Sequence, residues 1–286
     1  MQGPNFVLLH GGGQGSWVWR ELIDALTARS AECLALDVPG CGTKRDRDTT
    51  AVEFDDIATE LIADIEAAGA RDVILVGHSQ AGQLIPRMAE LAPGLFNRLV
   101  YVTCSAAPPG RSILQLIGNC RRGDREDKVG FPLDPATTPL ADQFRAMFCN
   151  DMSPAHQEAF LARLGQDNWP LSSYTHRDWR YDHLGSASST YVICELDQSL
   201  PPSWQERFAA TLQAADTVRM DGQQLFRLCG DDAHHHHLVC RKCGKTIEID
   251  PPSESWVRKV ADGHGFTVES HTLEVFGLCP DCQGKR

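Results

Sequence analysis

The chain has no apolar run approaching the ~18–20 residues that a membrane-spanning helix needs, so an integral helical membrane protein is excluded. It also lacks a basic and then apolar leader. Met1-Gln2-Gly3-Pro4-Asn5 passes straight into Phe6-Val7-Leu8-Leu9, and no secretory signal is expected. Positive charge is in deficit, with 27 Lys+Arg against 38 Asp+Glu in 286 residues and a formal net charge of −11. That balance argues against general affinity for nucleic acid. The 11 cysteines are odd in number, and those in the front of the chain show no paired spacing. With no export signal they read as reduced thiols. A soluble cytoplasmic protein is the expectation, and 42% hydrophobic residues suffice for a packed core.

What is present is unevenly placed. Residues 223–286 carry 8 Lys+Arg and 9 Asp+Glu, whereas residues 1–222 carry 19 and 29. The tail also holds five of the 11 cysteines and six of the 11 histidines. Two differently built segments are therefore expected, with a boundary at Gly222–Gln223.

In the front segment, short apolar runs alternate with helical spacing. Phe6–Leu9, Cys33–Leu36, Val73–Val76, Leu99–Val102, Thr190–Cys194 and Thr217–Met220 read as buried strands. Trp17–Leu26 predicts a helix with Trp19, Leu22, Ile23 and Leu26 on one face. Phe54–Ala68 predicts another, striped by Ile57, Leu61, Ile62 and Ile65. Further helices are expected after Ser79, through Leu91, and over Ser203–Leu212. Such alternation implies a mostly parallel sheet covered on both faces. Residues 105–185 break the rhythm with Pro, Gly, charge and short helical pieces such as Ala155–Leu164, and read as an inserted cap.

The run Gly77-His78-Ser79-Gln80-Ala81-Gly82 follows a strand and opens a helix. A sharp strand-to-helix turn lifts a serine hydroxyl above the sheet, and the small residues around it relieve crowding. Ser79 is the candidate nucleophile. The amide of Gln80 and one from Gly11 or Gly12, in the loop after the first strand, are the candidate oxyanion donors. His10 is expected to shape that loop, and His78 to pack or hydrogen-bond inside the turn.

These stretches, with Leu36-Asp37-Val38-Pro39-Gly40, resemble an α/β-hydrolase of the small esterase group that includes plant methylesterases and hydroxynitrile lyases. The resemblance covers residues 5–222. It implies an α/β-hydrolase sheet with an inserted cap, a small-molecule ester substrate, and an acid after the post-cap strand Tyr191-Val192-Ile193-Cys194-Glu195-Leu196-Asp197. Asp197 is the acid by that resemblance, with Glu195 as fallback. The chain departs from the pattern after Val218-Arg219-Met220-Asp221-Gly222. Gln223-Gln224-Leu225-Phe226 stands where the family's histidine belongs, and the terminal helix that covers the sheet is missing, so the hydrolase is C-terminally truncated. Without an imidazole to take its proton, Ser79 is a poor nucleophile near neutral pH. His234–His237 begin 12 residues beyond Gly222 and are one conceivable substitute. His156, His176 and His183, in the cap, are weak ones.

In the tail, Cys240-Arg241-Lys242-Cys243 and Cys279-Pro280-Asp281-Cys282 are two Cys-x-x-Cys knuckles. Four thiolates so paired suit tetrahedral Zn2+. Thr246–Ile249 and Thr272–Phe276 read as strands and Ser253–His264 as a helix, giving a small α+β zinc-binding domain. His234-His235-His236-His237 lies on a stretch where alternate residues face opposite sides. These features, together with Leu225-Phe226-Arg227-Leu228-Cys229 and Ser270-His271-Thr272-Leu273-Glu274, resemble the C-terminal domain of the ferric/zinc uptake regulator family. The resemblance implies a structural zinc on Cys240, Cys243, Cys279 and Cys282. It implies a sensing site on Cys229, His235 and His237, and a third site on His234, His236, Glu254 and His271. It also implies homodimerisation through this domain. The family's DNA-binding domain has no counterpart in the chain, so sequence-specific DNA binding is not expected.

Two functions are therefore weighed: an ester hydrolase fused to a zinc module, or a non-catalytic zinc-binding, dimerising regulator fragment. A seam that cuts both families at necessary points also raises a fusion of two gene fragments.

Overall fold

A computed structural model describes residues 5–220, 236–240, 246–249, 255–265, 267, 274–280 and 282–283. The chain divides into two compact units, 1–222 and 223–286.

The first unit is built on six strands, β1 (Asn5–Leu9), β2 (Glu32–Leu36), β3 (Val73–His78), β4 (Phe96–Val102), β5 (Ser189–Cys194) and β6 (Asp216–Met220). They lie in the order β2-β1-β3-β4-β5-β6, and every neighbouring pair is parallel. Their continuous apolar sequences suit a sheet buried on both faces. Helices α1 (Arg20–Thr27), α2 (Phe54–Ala67) and α3 (Ala81–Leu91) connect the early strands. Four short helices, α4 (Ile113–Ile117), α5 (Leu140–Phe148), α6 (Pro154–Leu161) and α7 (Leu171–Thr175), lie between β4 and β5. Helix α8 (Pro202–Thr211) joins β5 to β6.

Strand alternation divides the core. Val7, Leu9, Val73, Leu75, Leu99, Tyr101, Tyr191 and Ile193 are buried on one face with the stripe of α2 (Phe54, Ile57, Ala58, Leu61, Ile65), with α3 and with Phe208 of α8. The opposite face is thinner. Leu8, Trp19 and Val76 are buried there, with Phe6, Ile23, Ile74, Val100 and Val102 only partly covered. The stripe expected on Trp17–Leu26 is correspondingly shallow. A 3-10 turn at Ser16–Trp19 precedes α1, Trp19 is buried, and Leu22 is 38% exposed. Periodicity reports that a helix has an apolar side, not how fully another element covers it.

In the second unit, β7 (His236–Cys240) is central, antiparallel to β8 (Thr246–Ile249) and parallel to β9 (Glu274–Gly277). Helix α9 (Ser255–Gly263) lies between β8 and β9 in the chain. Of the strand expected over Thr272–Phe276, residues 274–276 lie in β9, and 272–273 lie outside the described residues. Among the described residues no helix is long and apolar enough to cross a membrane.

Candidate functional site

Strand β3 runs into α3 through a turn in which Ser79 takes φ +53. A non-glycine residue in the left-handed region is strained by about 1–2 kcal/mol, and the surroundings hold it there. The Ser79 amide donates to the Val102 carbonyl at 3.1 Å, and the Ser79 carbonyl accepts from Gly82 (3.2 Å) and Ser105 (2.9 Å). The turn leaves no room for larger residues. A Cβ on Gly82 would lie 2.5 Å from the Ser105 carbonyl oxygen, and one on Gly77 would press on Ile85 Cδ1 and Ala81 Cβ.

The loop after β1 stands directly against this turn. A Cβ on Gly11 would sit 3.0 Å from Ser79 Cβ and 2.9 Å from His78 Nδ1. The Gly11 amide is engaged by Gln14 Oε1 at 3.3 Å. No acceptor among the described residues takes the amides of Gly12 or Gln80, and both residues line the cavity described below.

His10 is fully buried, and its bonds fix its tautomer. The Val38 amide donates to Nε2 at 3.2 Å, so Nδ1 carries the proton and donates to the Gly11 carbonyl at 2.9 Å. Burial pushes its pKa down, which keeps the ring neutral. His78 is also lowered, to about 4, by burial, against the opposing pull of Asp197. Its ring meets Trp19 edge-on.

Asp197 follows β5 and is half-buried. Its Oδ1 accepts from the amides of Ser199 (2.7 Å) and Leu200 (2.8 Å), and Oδ2 accepts from the Thr103 hydroxyl. Glu195, the fallback acid, is instead paired with Arg219 at 2.5 Å. His156 is exposed, His176 stacks on Phe54 at 4.3 Å, and His183 bonds the Pro86 carbonyl at 2.8 Å. None of these three lines the cavity. Residues 221–235, including His234 and His235, lie outside the described residues.

A cavity of about 330 Å3 opens over Ser79. Its walls are largely apolar and come from the insertion, with Ile113, Leu116, Phe131, Phe144 and Phe148 among them. Among the described residues Asp167 is the sole carboxylate in its lining. That group accepts from Trp17 Nε1, the Gly42 amide and Arg45 Nε, each at 2.8 Å.

Three residues were missed by sequence reasoning. Thr103, at φ +41, donates to Asp197. Asp167 and Trp169 tie the insertion to the loops after β1 and β2. No local pattern marks any of them.

In the second unit, Cys240 ends β7 opposite Gly277 of β9, which brings it to the sheet end where Cys279 and Cys282 follow. The Cys279 carbonyl accepts from the amides of Cys282 (2.9 Å) and Gln283 (3.0 Å), closing a tight turn. That turn suits a metal knuckle. Among the described residues no group of three or more His, Cys, Asp or Glu is close enough to hold a metal ion. Of the sequence-derived ligands, Cys229, His234, His235, Cys243, Glu254 and His271 lie outside the described residues. His236, His237 and Cys240 are described only through their backbone.

A parallel sheet with a strained serine between strand and helix beneath an inserted apolar roof defines an α/β-hydrolase-type fold. The chain belongs to the alpha/beta hydrolase family, whose model matches residues 6–243. That match runs past 222 and includes His234–His237, whereas the compact unit ends at Gly222. An extracellular alpha/beta-hydrolase from a Paenibacillus species, described as sharing structural and functional homology with tobacco salicylic acid binding protein 2, aligns with TM-score 0.62 and 21% identity. The alignment covers 77% of this chain and 90% of that one. Polyneuridine aldehyde esterase aligns at 0.59 and 19%, over 77% and 91%. At these identities the likeness is one of fold. The C-terminal segment resembles zinc and ferric uptake regulators. A zinc uptake regulation protein of Mycobacterium tuberculosis is 51% identical over 70 residues, 24% of this chain and 53% of the relative. The chain spans about half the length of the curated relatives it matches.

Proposed function

We propose that the chain is a serine carboxylic ester hydrolase carrying a zinc-binding unit. The observation that supports this most is the convergence of Ser79 in its strained turn, two unengaged amides and an apolar cavity. Ser79 Oγ attacks the ester carbonyl, and the amides of Gln80 and Gly12 receive the oxyanion. Of the two loop amides considered, Gly12 is favoured because that of Gly11 is already bonded to Gln14. The alcohol leaves with a proton, and water then releases the acid from the acyl-serine. Asp197 orients the imidazole that serves as base. The substrate is uncharged near its reacting end. Among the described residues no Lys or Arg lines the cavity, and the Asp167 carboxylate is already satisfied, so a buried ionic group would lie without a partner there.

Labelling with a fluorophosphonate probe tests the assignment, because the probe reports an activated serine without needing the true substrate. Labelling that disappears in Ser79→Ala is expected. Ester hydrolysis unchanged in that variant refutes it.

One observation favours a second reading. Among the described residues no imidazole bonds Asp197. In that reading the fold binds a small ligand without turning it over, and an intact, folded protein that resists the probe is the expected result.

For the tail, we propose the structural zinc on Cys240, Cys243, Cys279 and Cys282, with the sensing set Cys229, His235 and His237 and the third set His234, His236, Glu254 and His271. When bound, the metal supplies a cross-link that holds the sheet end to the knuckle. Homodimerisation through this unit is supported by an apolar row across its sheet. Leu238 pairs with Ile247 on one side and Val275 on the other, and the three are 40%, 52% and 42% exposed. The division into a hydrolase domain at 1–222, with its cap at about 105–185, and a zinc-binding domain at 223–286 is part of this reading, as is a cytoplasmic location.

A further inference from the structure

The Gly11 carbonyl and the Gly12 N–H belong to one peptide unit. Such a unit is planar, and no cis bond occurs here, so the two groups point in opposite directions. Whatever fixes the carbonyl therefore aims the amide. Two donors do so. His10 Nδ1 reaches the Gly11 oxygen at 2.9 Å, and Trp169 Nε1 reaches it at 3.1 Å. The indole also passes 3.4 Å from His10 Nδ1, but that nitrogen carries the proton and cannot accept. Both lone pairs of the carbonyl are thus taken.

Trp169 belongs to the insertion that roofs the cavity and is 3% exposed. Its neighbours are bound to the same group of loops. The Gly165 amide donates to the Gly13 carbonyl at 3.3 Å, the Asn168 amide to the Gly40 carbonyl at 3.0 Å, and Asp167 joins Trp17, Gly42 and Arg45. Seating of the roof and orientation of the peptide are consequently one event. We propose that Trp169 is a positioning residue for the oxyanion site, holding the Gly11 carbonyl so that the Gly12 N–H points at the charge developing over Ser79. This rests on the reading of Ser79 as nucleophile. The indole touches neither substrate nor reacting atoms. It acts by removing the freedom of a donor that must be in place before reaction, and by polarising the peptide it holds.

The test compares Trp169→Phe with Trp17→Phe, which removes an indole N–H from Asp167 in the same segment without touching the Gly11 carbonyl or lining the cavity. Turnover of a p-nitrophenyl ester, the rate of fluorophosphonate labelling and thermal melting are measured for each. Trp169→Phe is expected to lower kcat and the labelling rate about tenfold while KM stays within about twofold. Trp17→Phe is expected to lower the melting temperature by a similar amount with a much smaller loss of kcat. Should Trp169→Phe fail to fold, benzothienylalanine at position 169 keeps the ring shape without the N–H, and the same loss of kcat is expected. Either Trp169 variant at wild-type kcat overturns the proposal, as does an equal kcat loss in Trp17→Phe. In all those cases the wild-type protein still labels at Ser79. A wild-type protein that neither labels nor turns over ester refutes the nucleophile reading itself, and this inference with it.

Discussion

Replacing Gly82 with alanine puts a methyl group 2.5 Å from the Ser105 carbonyl oxygen and 2.7 Å from Cys104 Cβ. Both approaches fall about 1 Å inside the ~3.5 Å optimum for non-bonded heavy atoms. Neither neighbour can retreat cheaply. Ser105 is tied to the Ser79 carbonyl through its amide, and Cys104 is buried with its Sγ 3.2 Å from the Gly77 carbonyl. Overpacking costs about 1–3 kcal/mol, and backbone neighbours place Gly82→Ala at the upper end. For a unit of this size that corresponds to a fall of about 6–12 °C in Tm. Gly77→Ala is expected to lose a comparable amount, because its methyl group meets the buried Ile85 and, at 2.9 Å, the Ala81 Cβ, which has no torsion to turn away. Thermal unfolding followed by tryptophan fluorescence reads mainly the first unit, which holds Trp17, Trp19, Trp169, Trp179 and Trp204. A Gly82→Ala protein melting with the wild type refutes the argument that a rigid backbone contact sets the residue at this turn.

The pH dependence of stability follows from two imidazoles held below their ordinary pKa by burial, His78 at about 4 and His10 in the same direction. A depressed folded-state pKa gives stability that is complete above the unfolded value of 6.5 and is lost as pH falls through the folded one. His78 alone accounts for up to about 3 kcal/mol between pH 6.5 and 4. Denaturant titrations that stay flat over that interval contradict it, and His78→Gln is expected to shallow the slope. Thr103→Val removes the hydroxyl donor to Asp197 at nearly constant volume. A charge-assisted bond of this kind is worth about 1.5–3 kcal/mol, so kcat should fall at least about tenfold with KM little changed; an unaltered kcat rules out a role for that bond in turnover. In the second unit, purified protein is expected to carry at least one zinc per chain, and chelation should abolish amide protection at 236–240 without shifting the first unit's Tm. Equal protection with the metal removed argues against zinc-dependent folding.

The strands of the first unit were legible because a parallel sheet covered on both faces needs continuous apolar runs, and Phe6–Leu9 and Val73–Val76 are such runs. The turn at Ser79 was legible because crowding admits only small residues at 77, 81 and 82. What joins the parts was not. The Trp169 indole meets a carbonyl 158 residues away in the chain, and the Thr103 hydroxyl meets a carboxylate 94 residues away. Neither side chain differs locally from an ordinary core residue. The short helices α4 and α7 escaped notice because five residues hold too little periodicity to rise above a background of Pro and Gly. In the tail, the Cys-x-x-Cys spacing at Cys279 and Cys282 anticipated the tight turn that the Cys279 carbonyl closes with the amides of Cys282 and Gln283.

The bonds of Asp197 sharpen the choice between enzyme and binding scaffold. A carboxylate offers about four acceptor positions. Two amides occupy Oδ1 and one hydroxyl occupies Oδ2, which leaves a single position on Oδ2. An imidazole N–H seated there would be oriented by an acid that is already rigid, the relation that makes a serine–histidine pair effective. The same three bonds satisfy the carboxylate well enough without an imidazole, so its burial alone does not argue for turnover. Ser79 does carry such an argument. Its φ of +53 is held against about 1–2 kcal/mol of strain by bonds to Val102, Gly82 and Ser105. A pocket that only binds an apolar ligand gains nothing from aiming a hydroxyl at it. That geometry makes the reactivity of Ser79 the property on which the two readings part.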